Sequence, residues 1–366
     1  MSPLQPEEIS YKEIVYAIVS MLIGAGILTL PRSLAEETKA VDGWISILIA
    51  GVIAAFFVWV VAKLATKFPQ TTFVDYAAKI VTKPIAVALT FLFACHFIGY
   101  AAYETRVVGD ITVLYLFDRT PNEVVALLFL LIVIYAVYGS TFVILRLNLM
   151  FLPIILFISL LIPVLNVGFI ELDNAKPIYT SSAIDYLQGI KVSAFSLLGF
   201  EILLFYIAFL KTTKKVVKGS MMGIGLTVVI YLVIYLTVVG VFGNETTKNL
   251  WNPTIELAKE VQIPGEFFER FESIFFTIWI MTLFNTTAMA FDVAVIALKS
   301  ILPKIKRTIL ISVLSPIIYM IAFFPRNMVQ VEKMGEWMSY SGLFMSMTVP
   351  LLILIIAKIR RIQGNE

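Results

Sequence analysis

This sequence predicts an all-α polytopic membrane protein of ten transmembrane helices, and three observations carry the prediction. Of its 366 residues, 60% are hydrophobic and 14% charged, with a mean hydropathy of +0.92. A soluble domain carries roughly a quarter charged residues. The apolar residues gather into ten blocks near the ~20 residues that a helix needs to cross ~30 Å of hydrocarbon. Two blocks, the first and the sixth, are interrupted at mid-length by glycine.

The ten spans are 10–35, 42–66, 84–117, 121–139, 145–168, 184–210, 218–243, 271–299, 307–325 and 337–359. Span 1 carries Gly24-Ala25-Gly26-Ile27-Leu28-Thr29-Leu30-Pro31. Each glycine weakens a helix by ~1 kcal/mol relative to alanine. Freed backbone groups survive at membrane depth only where they are buried or line a cavity. A break here is therefore a candidate binding site, since transporter folds use such breaks in that way. A second helix starting near Ile27 would present unpaired N–H groups that suit a carboxylate.

Span 2 leads into residues 70–82, which read as a short interfacial helix. Span 3 is too long for one perpendicular crossing and is expected to tilt strongly or to protrude into water. His96, Tyr100, Tyr103 and Glu104 lie at three- and four-residue spacings on one face of it. His96 sits ~18 Å above Pro84, near midplane. A membrane-buried histidine is a functional candidate, and a hydrogen bond to a neighbouring helix explains it equally well. Glu104, Arg106 and Asp110, near the outer end, read as a structural charge cluster.

Span 6 carries Phe195-Ser196-Leu197-Leu198-Gly199-Phe200-Glu201. A carboxylate at midplane costs at least ~2.5–3.5 kcal/mol. Glu201 is tolerable if a helix restarts there, because the first turn offers free N–H groups and a positive dipole end. The helix that stops near Ser196 and Leu197 would leave unpaired carbonyls that suit an ammonium group. Apolar Phe195, Leu197 and Leu198 favour a ligand with a small uncharged side chain. In span 7 the glycines between Gly219 and Gly225 serve helix packing. Residues 251–270, with Asn252-Pro253 and Pro264-Gly265, read as a helical cap broken by turns. Span 8 carries Asn285-Thr286-Thr287, whose hydroxyls are expected to line the cavity without a bound sodium. Asp292 belongs to a cytoplasmic gate or to a buried pair.

Lysine and arginine placement sets the orientation. Lys63, Lys67, Lys79 and Lys83 share one side with Lys211, Lys214, Lys215 and Lys218, with Lys299, Lys304, Lys306 and Arg307, and with Lys358, Arg360 and Arg361. Glu245, Glu256, Glu260, Glu266, Glu269 and Glu272 occupy the other side. By the positive-inside rule both termini are cytoplasmic. Met1 to Ser10 lack the basic start and cleavage site of a signal peptide, so the first helix is expected to persist in the mature protein.

Residues 1–366 read as a single domain. Spans 1–5 and 6–10 start on opposite sides with equivalent broken first helices, which is a 5+5 inverted repeat over 10–168 and 184–359. An enzyme is not expected: there is no His-Glu-x-x-His, P-loop or nucleophile elbow, and Gly109-Asp110 has no partnering protease motif. A lone histidine makes no metal site, and one cysteine makes no intrachain disulfide. No cofactor, metal or nucleic-acid partner is expected.

Gly24-Ala25-Gly26-Ile27 followed by Pro31 resembles the first-helix signature of the amino acid–polyamine–organocation transporter superfamily. Phe195 to Glu201, ending in Gly199-Phe200-Glu201, is similar to its sixth-helix signature. The ten-span count, the short helix at 70–82 and the overall length look more narrowly like the spore-germination permease family, which supplies the membrane B subunit of nutrient germinant receptors. The resemblance implies a small amino acid held between the two breaks, with Gly24, Ala25, Gly26, Ile27, His96, Tyr100, Ser196, Leu197, Leu198, Gly199, Thr286 and Thr287 as binding residues. Glu201, Asp292 and Glu104 would be gating or structural charges. It also implies partner receptor subunits and the bacterial spore inner membrane. Some proton-coupled members place a lysine in the fifth helix; span 5 has Arg146 at its inner end and no lysine, which favours a receptor over a proton- or gradient-coupled amino acid permease.

Overall fold

The computed structural model describes residues 10–117, 119–210, 213–261, 271–362 and 364, with the side chains of 271 and 272 excepted. The described residues are all-helical. Seven helices are long and apolar enough to cross a membrane, and two bent helix pairs bring the number to nine. A further apolar helix, Arg307–Ala322, has 16 residues.

Span 1 is two helices, α1 (Tyr11–Ile23) and α2 (Gly26–Glu37), bent by 45°. Span 2 is α3 (Gly43–Thr66). The interfacial helix is α4 (Phe73–Ile80), started by the Thr72 hydroxyl, which accepts from the Asp75 amide. Span 3 is one continuous helix, α5 (Lys83–Tyr115), of 33 residues; at 1.5 Å per residue it is ~50 Å long and exceeds the bilayer core. Spans 4 and 5 are α6 (Asn122–Gly139) and α7 (Thr141–Leu165).

Span 6 begins with α8 (Ala183–Ser196), stops, and restarts as a tight turn at Phe200–Ile202 that runs into the four-residue α9 (Leu203–Tyr206). Its two parts are bent by 41°. Span 7 is α10 (Val216–Asn249). A short helix α11 (Pro253–Lys259) follows, then α12 (Phe271–Ile301) and α13 (Arg307–Ala322). Lys211, Pro264-Gly265, Glu266 and Glu269 lie outside the described residues.

The last span is longer than its hydropathy indicates. It runs from α14 (Met328–Leu343) through a wide turn at Phe344–Thr348 into α15 (Val349–Ile359). Asn327 caps its start by accepting from the Gln330 amide at 3.0 Å. The first turns are polar, so an apolar window places the start near 337. The widened turn precedes Pro350, which has no N–H to give.

Packing places the broken spans at the centre. α12 lies along α5, α3 along α10, and α1 against α7, α10 and α12. The apolar window of α12 is 67% buried and that of α6 only 33%, so α12 is interior and α6 faces lipid. Gly219 and Gly223 of α10 let Val15 and Val19 of α1 approach closely, as expected of small residues between membrane helices. Outside the bundle, the Asp42 carboxylate accepts the Tyr179, Thr180 and Ser181 amides at 2.6–2.8 Å and pins the loop before α8.

Candidate functional site

The two breaks meet. A hypothetical Cβ on Gly26 would stand 2.9 Å from the Tyr231 hydroxyl oxygen and 3.1 Å from Ser196 Cβ. The Tyr231 hydroxyl, reaching in from α10, donates to Leu22 O at 2.5 Å and also lies 3.2 Å from Ser196 O. Those are carbonyls left unpaired where α1 and α8 stop. One phenol thus ties both helix ends together. Sequence reasoning missed Tyr231; the available signal was a tyrosine hydroxyl in an apolar span, which needs a buried partner.

A cavity of about 420 Å³ opens beside the breaks, within the ~300–1,000 Å³ range of small-molecule sites. Gly24, Ala25, Gly26, Ser196, Leu198, Gly199 and Glu201 line it from the broken spans, and His96, Tyr100, Tyr103 and Glu104 from one face of α5. Its mouth carries Arg32, Glu36, Lys191, Trp251, Glu332 and Glu336 and faces away from the chain termini. Arg32 pairs with Glu36 at 2.9 Å and stacks over Trp251 at 4.6 Å. Lys191 lies over Tyr340 at 5.1 Å.

Four expected wall residues lie elsewhere. The Thr286 hydroxyl donates to Leu283 O in its own helix at 3.0 Å, and its methyl abuts Gly24 from behind. Thr287 is fully buried outside the cavity. Leu197 is buried where α8 stops, with its amide donating to Ala194 O. Ile27 is buried, and its carbonyl accepts from Thr254 of α11 at 2.8 Å. Thr286 and Thr287 lie on α12, which packs against α5 and α1. The opposite wall is α14, through Gly335, Met338, Ser339 and Gly342.

The expected charge cluster also divides. Arg106 pairs with Asp110 at 2.7 Å and donates to Pro325 O at 3.2 Å, a structural arrangement. Glu104 stands apart at the cavity. Its Oε1 is 3.4 Å from where a Cβ on Gly24 would be. The Tyr100 hydroxyl and Ala25 amide flank it, and neither carboxyl oxygen has a partner in full hydrogen-bond geometry. Asp292 is away from the cavity. It is fully buried, meets Arg307 at 2.5 Å, and accepts from Thr141 at 3.1 Å.

His96 joins three spans. Its Nδ1 is 2.7 Å from Ser341 Oγ. The Ser341 hydroxyl donates to Met338 O at 2.9 Å, so the network assigns Nδ1 as the donor to Ser341. Nε2 then faces Glu201 Oε1 at 3.5 Å. The other Glu201 oxygen accepts the Gly199 amide at 3.0 Å, as a carboxylate at the start of a helical turn does.

This chain matches the family model described as "Spore germination protein" over residues 8–331. It is 40% identical over 362 residues to spore germination protein GerLB of Bacillus cereus, covering 98% of this chain and 97% of that one. It is 32% identical over 344 residues to spore germination protein YndE of Bacillus subtilis strain 168, covering 94% of each. Among solved structures it is similar to Mhp1, a nucleobase-cation-symport-1 family transporter in a closed conformation with bromovinylhydantoin bound. The TM-score is 0.71 at 14% identity, covering 98% of this chain and 81% of that one. It is also similar to MhsT in complex with L-phenylalanine, with a TM-score of 0.69 at 15% identity, covering 96% of this chain and 90% of that one. At these identities the likeness is one of fold. Two interrupted spans meeting beside a cavity, a transporter fold and relatives matched from end to end place this chain in the spore germination protein family, as an integral membrane protein.

Proposed function

We propose that this chain is the membrane subunit of a nutrient germinant receptor. It binds a small amino acid between the breaks of spans 1 and 6 and passes the resulting change to partner subunits that start spore germination. The single observation that supports this most is the cavity at the junction of the breaks, in a chain of this family. The positive end of α2 suits the ligand carboxylate, and Phe195 and Leu198 keep the space for its side chain small.

The reading takes the chain as one domain of ten spans. Two five-span halves, 10–168 and 184–359, form an inverted repeat, with α13 as the ninth span. Both termini are cytoplasmic and the membrane is the spore inner membrane. In that orientation the cavity opens outward, toward arriving nutrient. Ligand changes the resting equilibrium only through different affinities for two conformations, and two bent spans joined at one tyrosine form a natural two-state element.

A proton- or gradient-coupled amino acid permease is the second reading, favoured by the transporter fold. Two measurements separate them. The receptor reading expects companion receptor subunits to co-purify from native spore membranes, identified by mass spectrometry. It also expects no concentrative amino acid uptake by the purified chain in vesicles. Robust uptake without partners would overturn it in favour of the permease.

A further inference from the structure

Resting on the amino-acid reading above, we propose that Glu104 is the anchor for the positive charge of the ligand, so that the site selects a primary ammonium group. The expected ammonium site was the set of carbonyls ending the broken helices. That position is contested: the Tyr231 hydroxyl already holds Leu22 O at 2.5 Å and lies 3.2 Å from Ser196 O. A cation there has to displace a buried hydrogen bond.

Glu104 has the opposite character. It is fully buried, it borders the cavity, and neither oxygen has a hydrogen-bond partner in full geometry. A carboxyl group in that position takes a cation or holds a proton, because an isolated buried charge is strongly disfavoured. Among the described residues no lysine or arginine forms an ion pair with it; Arg32 and Lys191 are occupied at the mouth. The other titratable groups deep in the cavity are His96 and Glu201, which face each other at 3.5 Å, with the second Glu201 oxygen accepting the Gly199 amide. The deep half of the cavity therefore has one carboxyl group without a counter-charge, and the ligand supplies it.

The test uses the purified full chain in nanodiscs and reads its melting temperature with methylammonium chloride as the probe. Tetramethylammonium chloride at equal ionic strength is the control, since it carries charge without N–H donors. Methylammonium is expected to raise the melting temperature above the control. Glu104→Gln should abolish the difference, and Asp173→Asn, at an exposed carboxylate outside the cavity, should leave it intact. If Glu104→Gln does not fold, Glu104→Asp carries the comparison, with an affinity at least several-fold weaker. Equal behaviour of the two cations, or a difference that survives Glu104→Gln, overturns the anchor. A parallel panel of glycine, L-alanine and L-valine tests the underlying reading: if methylammonium acts through Glu104 and none of the amino acids binds, the anchor stands and the amino-acid assignment fails.

Discussion

Gly199 has φ +114°, a backbone conformation that side chains with a Cβ rarely adopt, and a Cβ there would stand 2.6 Å from Met21 Cγ. Left-handed backbone costs a non-glycine residue roughly 1–2 kcal/mol, and the clash with Met21 adds to it. Gly199→Ala should therefore lower the melting temperature of the purified protein and abolish ligand response; an unchanged melting curve would show that this turn relaxes freely. Tyr231→Phe tests the other half of the junction. It keeps the ring and removes the donor to Leu22 O and Ser196 O. A buried acceptor left unpaired costs about 1–3 kcal/mol. The expected result is normal membrane insertion with reduced thermal stability and a weakened response, read by melting and by germination of spores carrying the variant.

At the level of elements, α5 is one continuous helix along the cavity and the two broken spans are bent beside it. His96 holds α5 to α14 through Ser341 and faces Glu201 of span 6. His96→Ala is expected to alter ligand response at unchanged protein level, and an unaltered response would reduce the histidine to a packing role. Gly24 and Gly26 act through close approach. A methyl on Gly26 meets the Tyr231 hydroxyl at 2.9 Å and Ser196 at 3.1 Å, whereas one on Gly24 meets Thr286 at 3.2 Å and Glu104 at 3.4 Å. Gly26→Ala should thus be the more disruptive of the two, since its nearest obstruction is the Tyr231 hydroxyl, itself held on Leu22 O; a titration of ligand against response for both variants orders them.

For the molecule as a whole, the breaks lie between two environments. On one side α12 packs on α5 and α1; on the other the cavity extends to Arg32, Glu36, Lys191, Trp251, Glu332 and Glu336. Ligand entering from that side reaches Arg32, Glu332 and Lys191 before it reaches the junction. Arg32 of α2 and Glu332 of α14 lie 3.4 Å apart across the mouth. Exposed pairs of this kind contribute only about 0–1 kcal/mol. Glu332→Gln is accordingly expected to leave thermal stability nearly unchanged while altering the rate of ligand association, measured by stopped-flow Trp251 fluorescence at low and high salt. A stability loss of several degrees would place the pair in the structural framework.

The sequence by itself determined the all-helical membrane class, the interruptions at Gly24–Gly26 and Leu197–Gly199, the short helix after span 2 and the shared face of His96, Tyr100, Tyr103 and Glu104. Each of these follows from local physics: hydropathy over a window, glycine in a helix, or the 3.6-residue repeat. Tertiary structure alone decided which side of a helix meets the cavity. Thr286 and Thr287 carry the hydroxyls expected of a lining, and the packing of α12 turns them away. Polar α14 lacks an apolar signature at its start, yet it forms the wall. Tyr231 bonds Leu22 across 209 positions of chain, and Glu104 is isolated because its neighbours Arg106 and Asp110 satisfy each other. Such outcomes depend on how helices distant in sequence rotate against one another, and no property of a single helix encodes that rotation.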